Sequence, residues 1–127
     1  MNIERIFKNL LIAHLLMLII AVIWGVAEES VITTTEEPEL SSIELVMLLI
    51  IIIYIINIFL LLNFKPLGKN LYVPLVIFYS VLHFGLPKEY ITHGSAAEYL
   101  FNDVDMVITG MIIAMLYWTD VKKKFEG

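Results

Sequence analysis

Long uninterrupted apolar runs, not an alternation of apolar and polar positions, dominate the chain. A helix rising ~1.5 Å per residue needs roughly 18 or more such residues to cross the ~30 Å of hydrocarbon in a bilayer. Segments at 10–27, 43–64, 71–86 and 103–119 match or approach that length. The second is the most continuous, with Asn57 as its only interior side chain that strongly demands a hydrogen bond. The third is shorter and ends before Pro87, and the pattern puts Pro74 in its first turn, where a missing N–H is tolerated. The fourth begins near Asp103, or earlier if the stretch from Ala96 is continuous with it. Ser41 with Glu44, and Ser95 with Glu98, have capping-box spacing ahead of the second and fourth segments. The pattern therefore predicts an all-α integral membrane protein, a single domain over 1–127 with four transmembrane helices in an up-down bundle.

Orientation follows from where Lys and Arg fall. With the N-terminus inside, Arg5, Lys8, Lys65, Lys69, Lys122, Lys123 and Lys124 lie on the cytoplasmic side and Lys88 outside. Both termini are then cytoplasmic, joined by a short inner connection at Lys65–Lys69, in the cytoplasmic (inner) membrane. Trp24 falls near an outer end and Tyr72 and Trp118 near inner ends, as interfacial anchors do. Gly25-Val26-Ala27 has the small residues of a signal-peptidase site, but the preceding run is longer than a signal core and reads as an anchor.

Composition narrows the function classes. Hydrophobic residues make up 60% of the 127 and charged ones 17%, well above the ~45–50% apolar content of a soluble domain. A formal charge of −5 speaks against a nucleic-acid partner, which needs a basic surface. With no cysteine, disulfides, thiolate metal sites and cysteine nucleophiles are excluded.

The acids gather on the side opposite the bases: Glu28, Glu29, Glu36, Glu37, Glu39, Glu44, Glu89, Glu98, Asp103 and Asp105. The positive-inside rule makes no such demand on acids. Glu36, Glu37 and Glu39 are the candidate contact for a basic partner, against the plainer reading of a solvated loop; they lack calcium-loop spacing, and no metal site is expected.

Polar side chains within the apolar segments are costly and often functional. His14 and Asn57 both lie a few residues to the cytoplasmic side of mid-span, which predicts a hydrogen bond between them. Its functional form is a proton-accepting histidine and its plain form an interhelical bond of about 0.6 kcal/mol. His83 and Asp105, with Ser80 and Thr109 one turn below them, suggest a polar outer vestibule. The alternative is that Asn102 and Asp105 mark a helix N-terminus. His14 and His83 fall at different depths, so a shared haem is not expected, and no cofactor is implied. No hydrolytic motif is present. Ala21 with Gly25, and Gly110 with Ala114, have the small-xxx-small spacing of close helix packing.

These features lead to a non-enzymatic protein embedded in the lipid bilayer, an accessory subunit or an immunity or inhibitor protein, that meets a membrane or extracytoplasmic protein at its acidic face or forms a homo-oligomer. The alternative is an oligomeric ion or proton channel or transporter through Asp105, Thr109, His83, Asn57 and His14, weakened by the lack of a charge near mid-span. A small membrane enzyme is the third reading.

Overall fold

The computed structural model describes the backbone of residues 2–32, 42–85 and 96–126, and within them all side chains except those of 25–32, 43, 44 and 83–85. The described residues are helical apart from short turns: α1 (Ile3–Ile32), α2 (Ser42–Leu62), α3 (Pro66–Gly85), α4 (Ala96–Trp118) and a single turn, α5 (Val121–Lys124). Three stretches are long and apolar enough to cross a membrane, Ile3–Trp24, Leu45–Leu62 and Ala96–Trp118, and Pro66–Leu82 is a shorter apolar helix. Helix is the outcome that hydrocarbon imposes. The isoleucine run of α2 is a weak helix former in water, but a segment surrounded by lipid must satisfy its own backbone.

Three helices depart from the sequence expectation; α1 extends past the expected 10–27 at both ends, from Ile3 to Ile32. α3 starts at Pro66 and not near Leu71, because proline fits the first helical position, where its missing N–H has no helical acceptor. Pro74 consequently lies inside α3 and not in its first turn, and it has no N–H to offer the Asn70 carbonyl. α4 starts at Ala96 and not near Asp103, so Asn102 and Asp105 are interior positions and do not form a helix N-terminus.

The turn between α2 and α3 closes with a Schellman pattern. Lys65 N–H donates to the Leu60 carbonyl at 2.9 Å and Phe64 N–H to Leu61 at 3.0 Å, while Phe64 takes a left-handed φ of 53°. Directly after it, Gly68 lets α3 press onto α2: a Cβ there would stand 2.9 Å from Leu60 Cβ and 3.0 Å from the Leu61 nitrogen.

α2 packs on α3 and α1, and α1 also packs on α4. α1 and α2 run antiparallel, since Phe7 meets Phe64 at one end and His14 meets Tyr54 further along. Beyond Trp118 the chain bends at Thr119, whose hydroxyl donates to the Met115 carbonyl at 2.7 Å, and α5 turns Val121 and Phe125 back into the core. Lys122, Lys123 and Lys124 thus form the outward face of a packed turn. Phe7, Phe64 and Phe125 form an aromatic cluster with centroids 5.4–6.0 Å apart. Around it gather Lys8, 5.0 Å above the Phe64 ring, and Lys124, 3.4 Å from Glu4. Lys65 and Lys69 flank the α2–α3 turn, so the bases collect at one end of the bundle, called the basic end below.

Burial is concentrated in the same half. Phe7, Leu11 and His14 on α1, Tyr54, Asn57, Ile58 and Leu61 on α2, Tyr72 on α3 and Ile112, Met115 and Leu116 on α4 are buried. Nothing described on α1 after His14 or on α4 before Ile112 is fully buried. Leu45, Leu48, Leu49, Ile52, Ile56 and Phe59 form an exposed apolar stripe along α2, suited to lipid.

Candidate functional site

One layer of polar side chains crosses the bundle above the apolar core. On α1, Phe7, Leu11 and His14 share the inward stripe at helical spacing, which drives the imidazole into the interior. On α2, Tyr54, Asn57, Ile58 and Leu61 form the corresponding stripe. α4 carries Asp105 and, one turn later, Thr109.

His14 is the hub. Its Nε2 is 3.2 Å from the Tyr54 hydroxyl and its Nδ1 is 2.9 Å from Asp105 Oδ1. A neutral imidazole meets both neighbours in one tautomer, with Nδ1–H toward the carboxylate and the Tyr54 O–H donating to Nε2. The carboxylate lies off the Nδ1–H direction, so this is a charge contact at short range and not an aligned hydrogen bond. The imidazole is enclosed, with 5% of its side chain exposed, while Asp105 keeps 39%.

The layer continues through Tyr72 of α3, whose ring centroid lies 5.9 Å from that of Tyr54 and 6.4 Å from that of His14. The Tyr72 hydroxyl reaches toward both Tyr54 and Thr109 without forming a well-aligned hydrogen bond to either. Asp105, His14, Tyr54, Tyr72 and Thr109 therefore follow one another from α4 through α1, α2 and α3 back to α4, a ring that lies across the bundle. Asn57 sits one turn from Tyr54, fully buried, and among the described residues neither its amide oxygen nor its amide nitrogen has a hydrogen-bond partner.

This geometry corrects several sequence expectations. His14 bonds Tyr54 and touches Asp105, and it does not hydrogen-bond Asn57, because the α2 residue level with it is the tyrosine one turn earlier. Asp105 turns to His14 of α1 and lies near the middle of α4, not in an outer vestibule, since α4 extends back to Ala96. Thr109 belongs to the same layer through Tyr72. His83 lies on α3, with its side chain outside the described residues; Ser80 donates to the Val76 carbonyl at 2.8 Å. Glu36, Glu37, Glu39, Ser41 and Ser95 lie outside the described residues.

Gly110 is exposed, with nothing within 4 Å of the position a Cβ would take, and Ala21 is also exposed, so close packing within the chain uses Gly68 and not these positions. Ala114 is half-buried, and Gly25 lies in α1 beyond the described side chains. Tyr54 and Tyr72 were missed; Tyr72, expected as an interfacial anchor, is fully buried. The available signal was the Tyr54–Asn57–Ile58–Leu61 spacing, which puts a hydroxyl on the inward stripe.

Comparison of the chain with protein-family models, characterised proteins and solved structures gives no match in any of the three. The chemistry of the layer rests on its own geometry. Carboxylate, imidazole and hydroxyl follow the order used to activate a nucleophile, but the Tyr54 hydroxyl is enclosed by His14, Tyr72 and the core. Proton binding and redistribution, not attack on a substrate, is what the layer supports.

Proposed function

We propose that the protein is a four-span, non-enzymatic protein of the cytoplasmic membrane, with both termini on the cytoplasmic side, that acts by associating with a membrane or extracytoplasmic protein at its acidic end. α3 supplies the fourth crossing in this reading: its 20 residues extend about 30 Å at ~1.5 Å per residue. The observation that carries the reading is the transverse run of the polar ring above an apolar plug. Leu11, Ile58, Leu61 and Leu116 fill the interior between that ring and the aromatic cluster at the basic end. A protein organised in this way has a closed interior and works through its surfaces.

The acids Glu36, Glu37 and Glu39 are the partner contact on sequence grounds. Co-purification from native membranes in mild detergent, read by native mass spectrometry, tests the reading. A stoichiometric second protein, lost when the three glutamates become glutamine, is the expected result; a chain that purifies without one, or capture unchanged by the substitutions at low salt, overturns it.

The ion or proton pathway is the second reading, because the His14–Asp105 pair brings a carboxylate to mid-span, where the sequence reading had none. Such a pathway needs a route past the plug between subunits of an oligomer. Proteoliposome flux abolished by His14→Ala supports it, and full flux removes it.

A further inference from the structure

We propose that His14 and Asp105 form a proton-binding site that clamps α1 to α4 at mid-span and exchanges protons with the end of the bundle opposite the basic end. The proposal does not depend on which partner the acidic loops meet.

The argument begins with charge. The titratable groups that act on this layer are Tyr54 of α2, Tyr72 and Tyr79 of α3 and Asp105 of α4, around His14 of α1. With the tyrosines neutral, an ionised Asp105 beside a neutral His14 leaves one net negative charge in the middle of an apolar bundle. Taking up a single proton, to give imidazolium beside carboxylate, brings the layer to zero. Hydrocarbon disfavours an uncompensated charge by several kcal/mol, so the two protonation states differ in how firmly the helices are held together.

Access is one-sided. Asp105 is 39% exposed where His14 is enclosed. Toward the far end, no described side chain of α1 beyond His14 or of α4 before Asp105 is fully buried, so the packing around the carboxylate is looser on that side. Toward the basic end, Leu11, Ile112, Leu116 and the aromatic cluster are packed shut. A proton arriving from the far end meets Asp105 first and passes over 2.9 Å to Nδ1 of His14, which is free to take it when the ring hydrogen is on Nε2. That tautomer requires the Tyr54 hydroxyl to turn from donor to acceptor, so that it accepts from Nε2–H.

The consequence is mechanical. No described residue of α1 beyond His14, or of α4 before Asp105, is fully buried, so the far halves are less enclosed than the basic end and respond more readily when the pair loosens. In the protonated state the clamp is closed. In the deprotonated state the carboxylate draws water, and the far halves of α1 and α4 move apart.

The chain contains no cysteine, so spin labels can be introduced without background. Ile19→Cys and Leu100→Cys, both at exposed positions, report the far halves in reconstituted vesicles. Their separation is expected to be longer at about pH 8 than at about pH 5. Asp105→Asn removes the charge and holds the short distance at both pH values, whereas His14→Gln strands the carboxylate and holds the long one. A second pair, Ile3→Cys with Leu67→Cys at the basic end, stays fixed. An otherwise unsubstituted chain with the same separation at both pH values overturns the proposal, whatever the site variants do. Retention of the shift in Asp105→Asn, or an equal shift at the basic end, overturns it as well.

Discussion

Asp105 Oδ1 stands 2.9 Å from Nδ1 of His14, joining the last long helix to the first near the middle of both. Each residue satisfies part of what the other needs, so substitutions at the two positions should be coupled. His14→Ala leaves the Tyr54 hydroxyl unpartnered as well as the carboxylate, and unsatisfied buried groups cost about 1–3 kcal/mol. The double-mutant cycle with Asp105→Ala should return a coupling of about 0.6–1.7 kcal/mol, the range found for polar contacts between membrane helices. Reversible unfolding in mixed micelles measures it; purely additive losses would mean that the contact is incidental.

Gly68 and Gly110 predict opposite behaviour. Gly68→Ala drives a methyl against Leu60 and the backbone nitrogen of Leu61, at 2.9 and 3.0 Å, where backbone cannot give way. A loss of about 1–3 kcal/mol is expected, as for other overpacked sites. Gly110→Ala meets nothing within 4 Å and should be neutral or gain up to about 1 kcal/mol from helix propensity. Paired thermal unfolding of the two variants checks the contrast. If Gly110 instead lies in an interface between copies, Gly110→Leu will change the mass of the detergent-solubilised assembly.

Phe64 combines strain with packing. Its φ of 53° is unfavourable for a residue with a Cβ, by roughly 1–2 kcal/mol, while its ring lies between those of Phe7 and Phe125. Phe64→Ala loses the ring and keeps the strain; Phe64→Gly loses the ring and relieves it. The glycine variant should therefore be the more stable of the two, by about 1 kcal/mol. The reverse order in chemical unfolding would mean that the turn relaxes out of the left-handed region once the ring is gone.

At the C-terminal turn, the hydrogen bond and charge of Lys123, 2.7 Å from Asp120, hold the Asp120 carboxyl below its ordinary range. A depressed folded-state value means that the stabilisation is present above the unfolded-state value and is lost as pH falls through the folded one. Amide exchange at Val121–Phe125 should accordingly quicken, relative to its intrinsic rate, on acidification past the usual carboxylate range. Asp120→Asn should remove that step; its persistence would mean that the Lys123–Asp120 pair does not hold the turn.

The membrane-embedded helical character was legible in the sequence because apolar runs of this length have few other uses. Boundaries were harder to read. Pro66 and Gly68 read as a loop, yet one suits a first helical position and the other a close helix contact. α4 was read seven positions short at its N-terminus, from Asp103 and not Ala96, because Glu98, Asn102, Asp103 and Asp105 interrupt its hydrophobic pattern. That error displaced Asp105 to an outer end and hid the relationship with His14. Two of the polar residues paired from sequence, His14 and Asn57, are both buried in the layer, but partner choice depends on which α2 residue stands level with the imidazole. Only the helix register supplies that. Tyr54 was invisible because tyrosine is unremarkable both at interfaces and in cores.

The turn at 63–65 has a consequence for how the chain enters its membrane. Three residues, even fully extended, reach only about 10 Å, and here they are folded tightly enough to bring Gly68 against Leu60. α3 has no slack with which to wait outside while α2 goes in. In the four-span reading proposed above, the strongly apolar α2 carries its shorter, proline-containing neighbour into the bilayer as one hairpin during biosynthesis. A longer linker at this turn would separate the two insertion events and leave α3 to partition on its own weaker merits.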